Sequence, residues 1–393
     1  MTKLDEFIQE LCPDGVKYLP IPELFITRNG YTPSKANNEF WENGTIPWFR
    51  MEDIRENGRI LTTATQYVSE KAVKGKLFPA DSIIIATSAT IGEHALIKVP
   101  SLANQRFTYL TLKDEFKDCV DMMFVFYYCF RLDEYCKSHL NQGNFASVDM
   151  KQFAAFKFPV PPLPVQREIV RILDNFTELT AELTAELTAR KQQYAYYRDK
   201  LLTFGDVRGG ATSDVVWKTL AEIADISTGS SNTDDAVKGG CYPFFVRSQQ
   251  LLAKDEYEYD EEAIITAGDG VGVGNVFHYI NGKYALHQRA YRIHPATDGL
   301  LGKYLYHYFV ATFPKYIGQQ MYQGSVPSIR RPMLNKFQVA IPSLDVQSRI
   351  VNVLDNFDAI CTDLSSGLPA EIEARQKQYE YYRDKLLSFE EKI

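Results

Sequence analysis

The residues best suited to chemistry in this chain are a run of alternating glycines, six cysteines and six histidines. From Gly268 to Gly274 every second residue is glycine, a composition found in loops whose backbone amides hold phosphate. The third glycine never has the spacing of a dinucleotide-binding loop, and no GKS or GKT motif completes a P-loop. A tight turn after the strand at Ile264 and Ile265 and a close approach to a DNA backbone both remain open.

The other chemistry-bearing residues do not predict a metal site or a nucleophile. The cysteines form no CxxC pair, and the histidines have neither an HExxH motif nor metal-ligand spacing. The acidic run from Asp255 to Glu262 is more typical of a solvated face than of a metal site. The DPPY-type motif that holds a target base in amino-methyltransferases is also missing. We therefore predict a chain with no catalytic residues, no metal and no cofactor of its own.

Composition bounds the class of protein. The net charge is −7, so bulk electrostatics alone would not hold this chain on DNA. No apolar run reaches the roughly 18 residues of a membrane span. The N-terminus is acidic where a secretory signal would be basic, and we expect a cytoplasmic protein. Its cysteines, expected to be reduced, are Cys12, Cys119, Cys129, Cys136, Cys241 and Cys361.

The sequence repeats itself once. Residues 166–176, QREIVRILDNF, match residues 347–357, QSRIVNVLDNF, and 189–204, ARKQQYAYYRDKLLTF, match 374–389, ARQKQYEYYRDKLLSF. The segments before these blocks match weakly but in the same order, for example NQR at 104–106 and HQR at 287–289. The chain therefore alternates variable and constant parts, and the variable parts share a scaffold but not a surface.

The constant parts are predicted to be long amphipathic helices. Apolar residues fall at steps of three and four, and a helix of roughly 38 residues is about 57 Å long. Such a rod needs a partner, and we predict that the two copies pair as antiparallel, coiled-coil helices. Asp345 is predicted to be the N-cap of the second copy, which Gly367 and Pro369 should break or kink.

A short repeat inside the first helix, TAELTAEL at 180–187, suggests either a spacer of adjustable length or a plain alanine-rich face. One four-residue unit advances the helix by about 6 Å and by about 400° of rotation, so it can be gained or lost without breaking the apolar stripe.

The variable parts have the mixed pattern of α/β (α+β) domains. Buried strands are predicted in DSIIIATSA and EEAIITAGD, and aromatic-rich helices from Val120 to His139 and from Leu301 to Phe313. The predicted order is a variable domain at 1–157, a constant helix at 158–204, a second variable domain at 205–336 and a second constant helix at 337–393.

This arrangement resembles the specificity subunit of Type I restriction-modification systems. The motifs that carry the resemblance are PVPPLPVQREIVRILD, YYRDKLLTF, LCPDGVKYLPI and the stretch from GYTPS to FWENGTIPW. The resemblance implies that each variable domain is a target-recognition domain reading one half of a bipartite, asymmetric DNA site. It implies that the helices set the gap between the two halves of the DNA site. It also implies that they dock two modification subunits, which methylate adenine with S-adenosylmethionine. Restriction subunits using ATP and Mg²⁺ would complete a restriction endonuclease.

Major-groove base edges are read by bidentate side chains such as Arg, Gln and Asn, and the repeat-matched triplets supply them. A turn stabilised by hydrogen bonds is an equally good explanation of the triplets. The candidate DNA-binding residues are Ser34, Lys35, Arg50, Ser88, Thr90, Asn104, Gln105, Arg106, Gln142 and Asn144 in the first domain and Ser230, Ser231, Arg247, Gln249, Asp269, His287, Gln288, Arg289, Gln323 and Ser325 in the second.

Two other functions are open to this sequence. A structural coiled-coil scaffold whose variable domains bind protein would show the same repeats. A chain that methylates DNA unaided is disfavoured by the missing motifs, and binding of S-adenosylmethionine to the isolated chain would revive it.

Overall fold

The structure is a computed structural model that describes residues 3–141, 146–204, 215–320, 327–363 and 365–392. Its helices are α1 (Lys3–Leu11), α2 (Ile21–Leu24), α3 (Met51–Asn57), α4 (Met122–Ser138), α5 (Met150–Ala155), α6 (Leu163–Leu202), α7 (Leu220–Ile223), α8 (Gly302–Gln320), α9 (Arg331–Asn335), α10 (Leu344–Thr362) and α11 (Leu368–Leu386). Its strands are β1 (Lys17–Pro20), β2 (Phe25–Asn29), β3 (Ile46–Phe49), β4 (Ile60–Leu61), β5 (Tyr67–Val68), β6 (Ser82–Ala86), β7 (His94–Ile97), β8 (Leu102–Ala103), β9 (Phe107–Leu112), β10 (Lys157–Val160), β11 (Val216–Thr219), β12 (Ala224–Thr228), β13 (Tyr242–Phe245), β14 (Leu252–Lys254), β15 (Tyr259–Ala267), β16 (Phe277–Leu286), β17 (Ala290–Pro295) and β18 (Gln338–Ile341).

The chain folds as two compact units. The first unit comprises Met1–Ala181 together with Ala374–Ile393, and the second comprises Glu182–Glu373. The boundaries fall inside α6 and α11, so each unit contains one variable part and helical segments from both repeats.

The first unit is built on a five-stranded sheet in the order β2-β9-β6-β7-β4. Its pairs are antiparallel except for β4 with β7, and every residue of β6 is buried, as the run SIIIA predicts. Helix α4 packs on β7 and supplies an aromatic-rich face. A smaller sheet, β5-β3-β8, stands beside this core and carries the buried Trp48 and Phe49.

The second unit is built on a six-stranded sheet in the order β12-β17-β15-β16-β13-β14. Strand β15 contains the predicted run AIITA, whose five residues are all buried at the centre of the sheet. Helix α8 packs against β15, β16 and β17. The predicted class of two mixed α/β domains with long helices is confirmed.

A matched glutamine anchors a constant helix in each unit. Near the start of α6 the amide of Gln166 donates to the carbonyl oxygens of Pro161 at 2.6 Å and Cys119 at 2.8 Å and accepts from the Asp121 amide at 2.8 Å. In α10 the amide of Gln347 donates to two backbone carbonyls, both at 2.8 Å, and accepts from a backbone amide at 2.9 Å. Both side chains are fully buried. The first letter of each QREIV or QSRIV motif is therefore a structural residue.

The end of each constant helix completes the unit built on the other variable part. In the first unit Leu387, directly after α11, is fully buried, and Phe176 of α6 stacks on Tyr382 of α11 with ring centroids 5.5 Å apart. In the second unit Leu202 of α6 is buried, and Tyr197 stacks on Phe357 of α10 at 5.9 Å. Along α6 the contacts proceed from Phe176 to Tyr197, while their partners in the second repeat proceed backwards from Tyr382 to Phe357. The predicted antiparallel pairing is therefore confirmed.

The two helical parts differ in continuity. Helix α6 runs unbroken for 40 residues and includes the TAEL repeat. The second part breaks between Thr362 and Leu368, as Gly367 and Pro369 predict. The prediction for Asp345 is wrong, because Ser343 occupies the N-cap and Asp345 lies in the first turn, where it pairs with Arg349 at 3.0 Å.

We expect Gln347→Ala to destabilise the second unit by about 2–4 kcal/mol, because three backbone groups lose a buried partner. Urea unfolding followed by circular dichroism measures this free energy. Gln376→Ala is the matched control, since this side chain is exposed and its amide donates to the exposed Glu380, and it should change stability by no more than about 0.5 kcal/mol. Equal effects of the two substitutions would contradict the anchoring role.

The second unit should also lose stability in mild acid. Burial lowers the pKa of His307 in α8 below its usual value, although its 2.7 Å bond to Asp355 opposes the shift and Lys303 and Asp358 also face it. Below about pH 6.5 the unfolded chain therefore binds a proton that the folded unit resists, and the free energy of unfolding falls as the pH falls. Thermal unfolding at pH 7.5 and 5.5 measures this slope. The slope should shrink in His307→Gln and not in His139→Gln, a first-unit control; identical slopes in the two variants would exclude His307 as the cause.

Candidate nucleic-acid interface

The two repeat-matched triplets form the same turn in the two units. Asn104, Gln105 and Arg106 connect β8 to β9, and His287, Gln288 and Arg289 connect β16 to β17. The amide of Asn104 donates to the Phe49 carbonyl at 3.0 Å, and the amide of His287 donates to the Phe245 carbonyl at 2.9 Å. The weak sequence match therefore reflects a shared backbone.

The first residue of each triplet closes its own turn. The side chain of Asn104 accepts a hydrogen bond from the Arg106 amide at 3.0 Å, and Nδ1 of His287 accepts one from the Arg289 amide at 3.0 Å. His287 is buried, and burial together with the nearby Arg247 lowers its pKa, which favours the neutral acceptor form. Asn104 and His287 thus act in the turn, while the glutamine and arginine that follow each of them are exposed.

A glycine brings a polar loop beside each turn. A Cβ atom on Gly30 would lie 2.2 Å from the Asn104 carbonyl oxygen, and one on Gly229 would lie 1.9 Å from that of Leu286. Only glycine permits this approach. It places the Thr32 hydroxyl against the side chain of Gln105, and the equivalent loop places Asn232 against Gln288.

Thr32 and Asn232 were missed by sequence reasoning. Each lies two or three residues after the glycine that directly follows a strand, in GYT and in GSSN, and this shared feature could have identified them.

A second pair of matched loops lies next to the triplets. The loop after β6 contains Ser88, which bridges to Ser147, and the loop after β15 contains Asp269, which bridges to Ser328. The amide of Thr87 donates to the Arg106 carbonyl at 2.9 Å, and the amide of Gly268 donates to the Arg289 carbonyl at 2.8 Å. Each unit therefore gathers a triplet, a glycine-bound loop and a post-strand loop at one edge of its main sheet.

The charges at this edge differ between the units. In the second unit the carboxylate of Asp269 bonds to Arg247 at 2.6 Å and to Arg289 at 3.1 Å. Partial burial works against ionisation, but these two arginines hold the pKa of Asp269 below its usual value. A depression of about 430 Å³ lies beside this cluster and is lined in part by Thr233, Val246 and residues 270–272.

Among the residues described at this edge of the first unit, no carboxylate joins two arginines, although Nε of Arg50 lies 3.9 Å from the Glu52 carboxylate. Ser88 takes the place of Asp269, and Arg50 donates instead to the Thr65 hydroxyl at 3.1 Å. Arg50 is the N-cap of α3, and its backbone amide donates to the side chain of Asp53 in the first turn at 2.7 Å. The Arg106 side chain is exposed, and no ion pair to another described residue is found.

The other candidates are spread over this edge or lie outside the description. Ser34 and Lys35 are exposed on the loop that follows Gly30, and Thr90 is half-buried after Ser88. Ser230 is exposed, but Ser231 is buried and bonds to Glu258 and Lys254, so its hydroxyl is occupied within the fold. Gln249 donates to the Asn275 carbonyl at 3.0 Å. Gln142, Asn144, Gln323 and Ser325 lie outside the described residues.

The acidic run that was first considered as a metal site has partners within the second unit. The acidic run supplies Glu258 to the Ser230 loop, Glu261 to Arg292 at 3.2 Å and Glu262 to the Tyr279 hydroxyl at 2.5 Å. Within the described ranges no group of three or more His, Cys, Asp or Glu side chains could hold a metal ion. None of the helices described is long and apolar enough to span a bilayer.

Comparison with known proteins places this geometry in a family. A model of the Type I restriction modification DNA specificity domain matches residues 13–190 and 212–374. The EcoprrI specificity subunit of a Type I restriction enzyme from Escherichia coli is 43% identical over 373 residues, 90% of each chain. The EcoR124I/EcoR124II specificity subunit, also from E. coli, is 34% identical over 64% of this chain and 68% of that protein.

Solved structures share the fold. A chain from a structure of complex assembly and conformational transition in the type I R-M system has a TM-score of 0.64 at 16% identity, covering 95% of this chain and 98% of that one. The S subunit of a Type I restriction-modification system from M. genitalium has a TM-score of 0.56 at 14% identity, covering 95% of both chains. On the family match and the 43% identity, the chain belongs to the specificity subunits of Type I restriction-modification systems, which confer DNA specificity and are not themselves catalytic.

Proposed function

We propose that each unit of this DNA specificity subunit reads one half of a bipartite, asymmetric site. The observation that carries this proposal is the pair of matched turns, which present exposed Gln105 and Arg106 in one unit and Gln288 and Arg289 in the other. Glutamine and arginine are suited to paired hydrogen bonds with adenine and guanine in the major groove. The two units share a backbone but carry different charged side chains beside the turns, which accounts for two different half-sites.

The serine and threonine side chains around each turn have a second role in this proposal. Ser34 and Lys35 in one unit and Ser230 in the other are exposed beside the turns, where hydroxyl and ammonium groups suit phosphate contacts that fix register. Such contacts are few, and the net charge of −7 offers no bulk attraction to DNA. The chain therefore needs partners that surround the duplex with additional positive charge.

Those partners, in our proposal, are two modification subunits docked on the constant helices and adjoining surfaces. They carry S-adenosylmethionine and methylate adenine, and restriction subunits with ATP and Mg²⁺ join them in a cytoplasmic complex. We assign residues 1–157 and 205–336 as target-recognition domains, and 158–204 and 337–393 as the helices that set the gap.

Protection of DNA by the chain together with its modification subunits tests the proposal. We expect a footprint on a bipartite sequence and adenine methylation in both halves of it. A structural scaffold that binds only protein would give neither result, and that outcome would refute the proposal.

Exchange of one recognition domain is a sharper test. Replacing residues 17–157 with the equivalent segment of another specificity subunit should change one half-site and leave the other intact. The reason is that the sheet edge carrying the triplet turn, called the reading edge below, is formed separately in each unit. Sequencing of the methylated motif decides this, and the reciprocal exchange of 215–336 is the control. A change in both halves after a single exchange would rule out independent reading.

Deletion of one TAEL unit tests the gap. Removing residues 180–183 shortens α6 by about 6 Å while keeping its apolar stripe, so the gap should change and both half-sites should persist. The methylated motif again provides the measurement. Substituting Thr180, Glu182 and Leu183 with alanine is the matched control and should leave the gap unchanged; an unchanged gap after deletion would remove the spacer role from this segment.

A further inference from the structure

One carboxylate organises the reading edge of the second unit. Asp269 follows β15 and bonds through Oδ1 to Nη1 of Arg247 and through Oδ2 to Nη1 of Arg289. The two arginines come from different segments, one after β13 and one in the turn before β17. Without the carboxylate, two guanidinium groups would face each other at this edge and repel.

The arrangement leaves donors available to a ligand. The side chain of Arg289 is 61% exposed and that of Arg247 is 39% exposed, against 26% for Asp269. For each arginine one terminal nitrogen bonds to Asp269, and no other side-chain partner is found among the described residues. An arginine held at one nitrogen keeps further N–H groups in a fixed plane, which suits acceptors that are themselves fixed.

The neighbouring loop also points to an occupant. Val271 is 94% exposed, although a valine gains by burial. The loop that carries it is fixed, because a Cβ atom on Gly272 would lie 2.4 Å from the Arg247 carbonyl oxygen and the Gly270 amide donates to Pro327 at 2.9 Å. Base edges in the major groove offer both hydrogen-bond acceptors, which suit arginine, and the thymine methyl group, which suits an apolar side chain. An exposed valine on a fixed loop beside two arginines fits such a surface.

We propose that Asp269 is a specificity-determining positioning residue, which aims Arg247 and Arg289 at guanine O6 and N7 in the second half-site. This inference rests on the proposed function and adds to it the identity of the base class and the means of orientation. Among the described residues of the first unit no carboxylate joins two arginines in this way, since Ser88 stands at the place of Asp269 and Glu52 lies near Arg50 alone. The two units therefore discriminate bases with different side-chain arrangements on the same backbone fold.

Competitive binding and methylated-motif sequencing test the inference with the complex of this chain and its modification subunits. Each base pair of the second half-site is substituted in turn in the competitor duplexes. In Asp269→Ala, discrimination should fall about 5- to 150-fold at one or two G·C positions of the second half-site, and the first half-site should be unchanged. Asp269→Asn, which can still accept from one arginine, should lose less.

Arg289→Gln is the second variant, because its exposed side chain can be replaced without loss of the fold, and it should relax one of the same G·C positions. Asp225→Asn is the matched control. It removes another carboxylate–arginine contact of this unit, with Arg292 at 2.6 Å, away from the reading edge and should leave base preference intact.

The outcomes separate the two proposals. If Asp269→Ala and Arg289→Gln retain the wild-type preference at every position while the complex still binds its site, the positioning role is refuted and the proposed function stands. Uniform weakening across all sequences would also refute it, since that pattern is expected of phosphate contacts. Absence of any sequence preference in the wild-type complex would instead refute the proposed function.

Discussion

A leucine at the end of each constant helical segment is buried in a core built mainly from the other repeat. Leu202 enters the core of the second unit and Leu387 that of the first, and each burial stabilises its unit by about 1.5–3 kcal/mol. Neither variable part is therefore complete without the distant copy of the helix. This constraint explains why YYRDKLLTF and YYRDKLLSF are almost identical, since both must seat on the same scaffold, and why α6 continues without a break from one unit into the other.

A shared core with different surfaces follows from the same duplication. The buried glutamines, the two-stranded ribbons formed by β1 with β10 and by β11 with β18, and the triplet turns recur in both units. Beside the triplet turn, a serine in the first unit stands where the second unit has an aspartate, and only that aspartate joins two arginines among the described residues. New specificity can thus arise without altering the fold.

Much of this architecture was predictable because repeats and apolar periodicity are properties of the sequence. The pairing of the constant helices, the break at Gly367 and the buried runs SIIIA and AIITA are examples. The roles within the triplets were not predictable, since burial of His287 depends on strands that are distant in sequence. The same holds for Gly30 and Gly229, whose importance lies in a close approach to another loop, and for Asp269, whose partners come from separate segments.

The central claim, that the far helix completes each unit, is tested most directly by hydrogen exchange on the full chain and on a chain ending at Glu373. The account predicts that amides of β1, β10 and α4 lose protection in the shortened chain, because Leu387 and its neighbours leave the first core. Amides of β15 and β17 in the second unit should keep theirs. Unchanged protection in the first unit, or an equal loss in both units, would contradict the account.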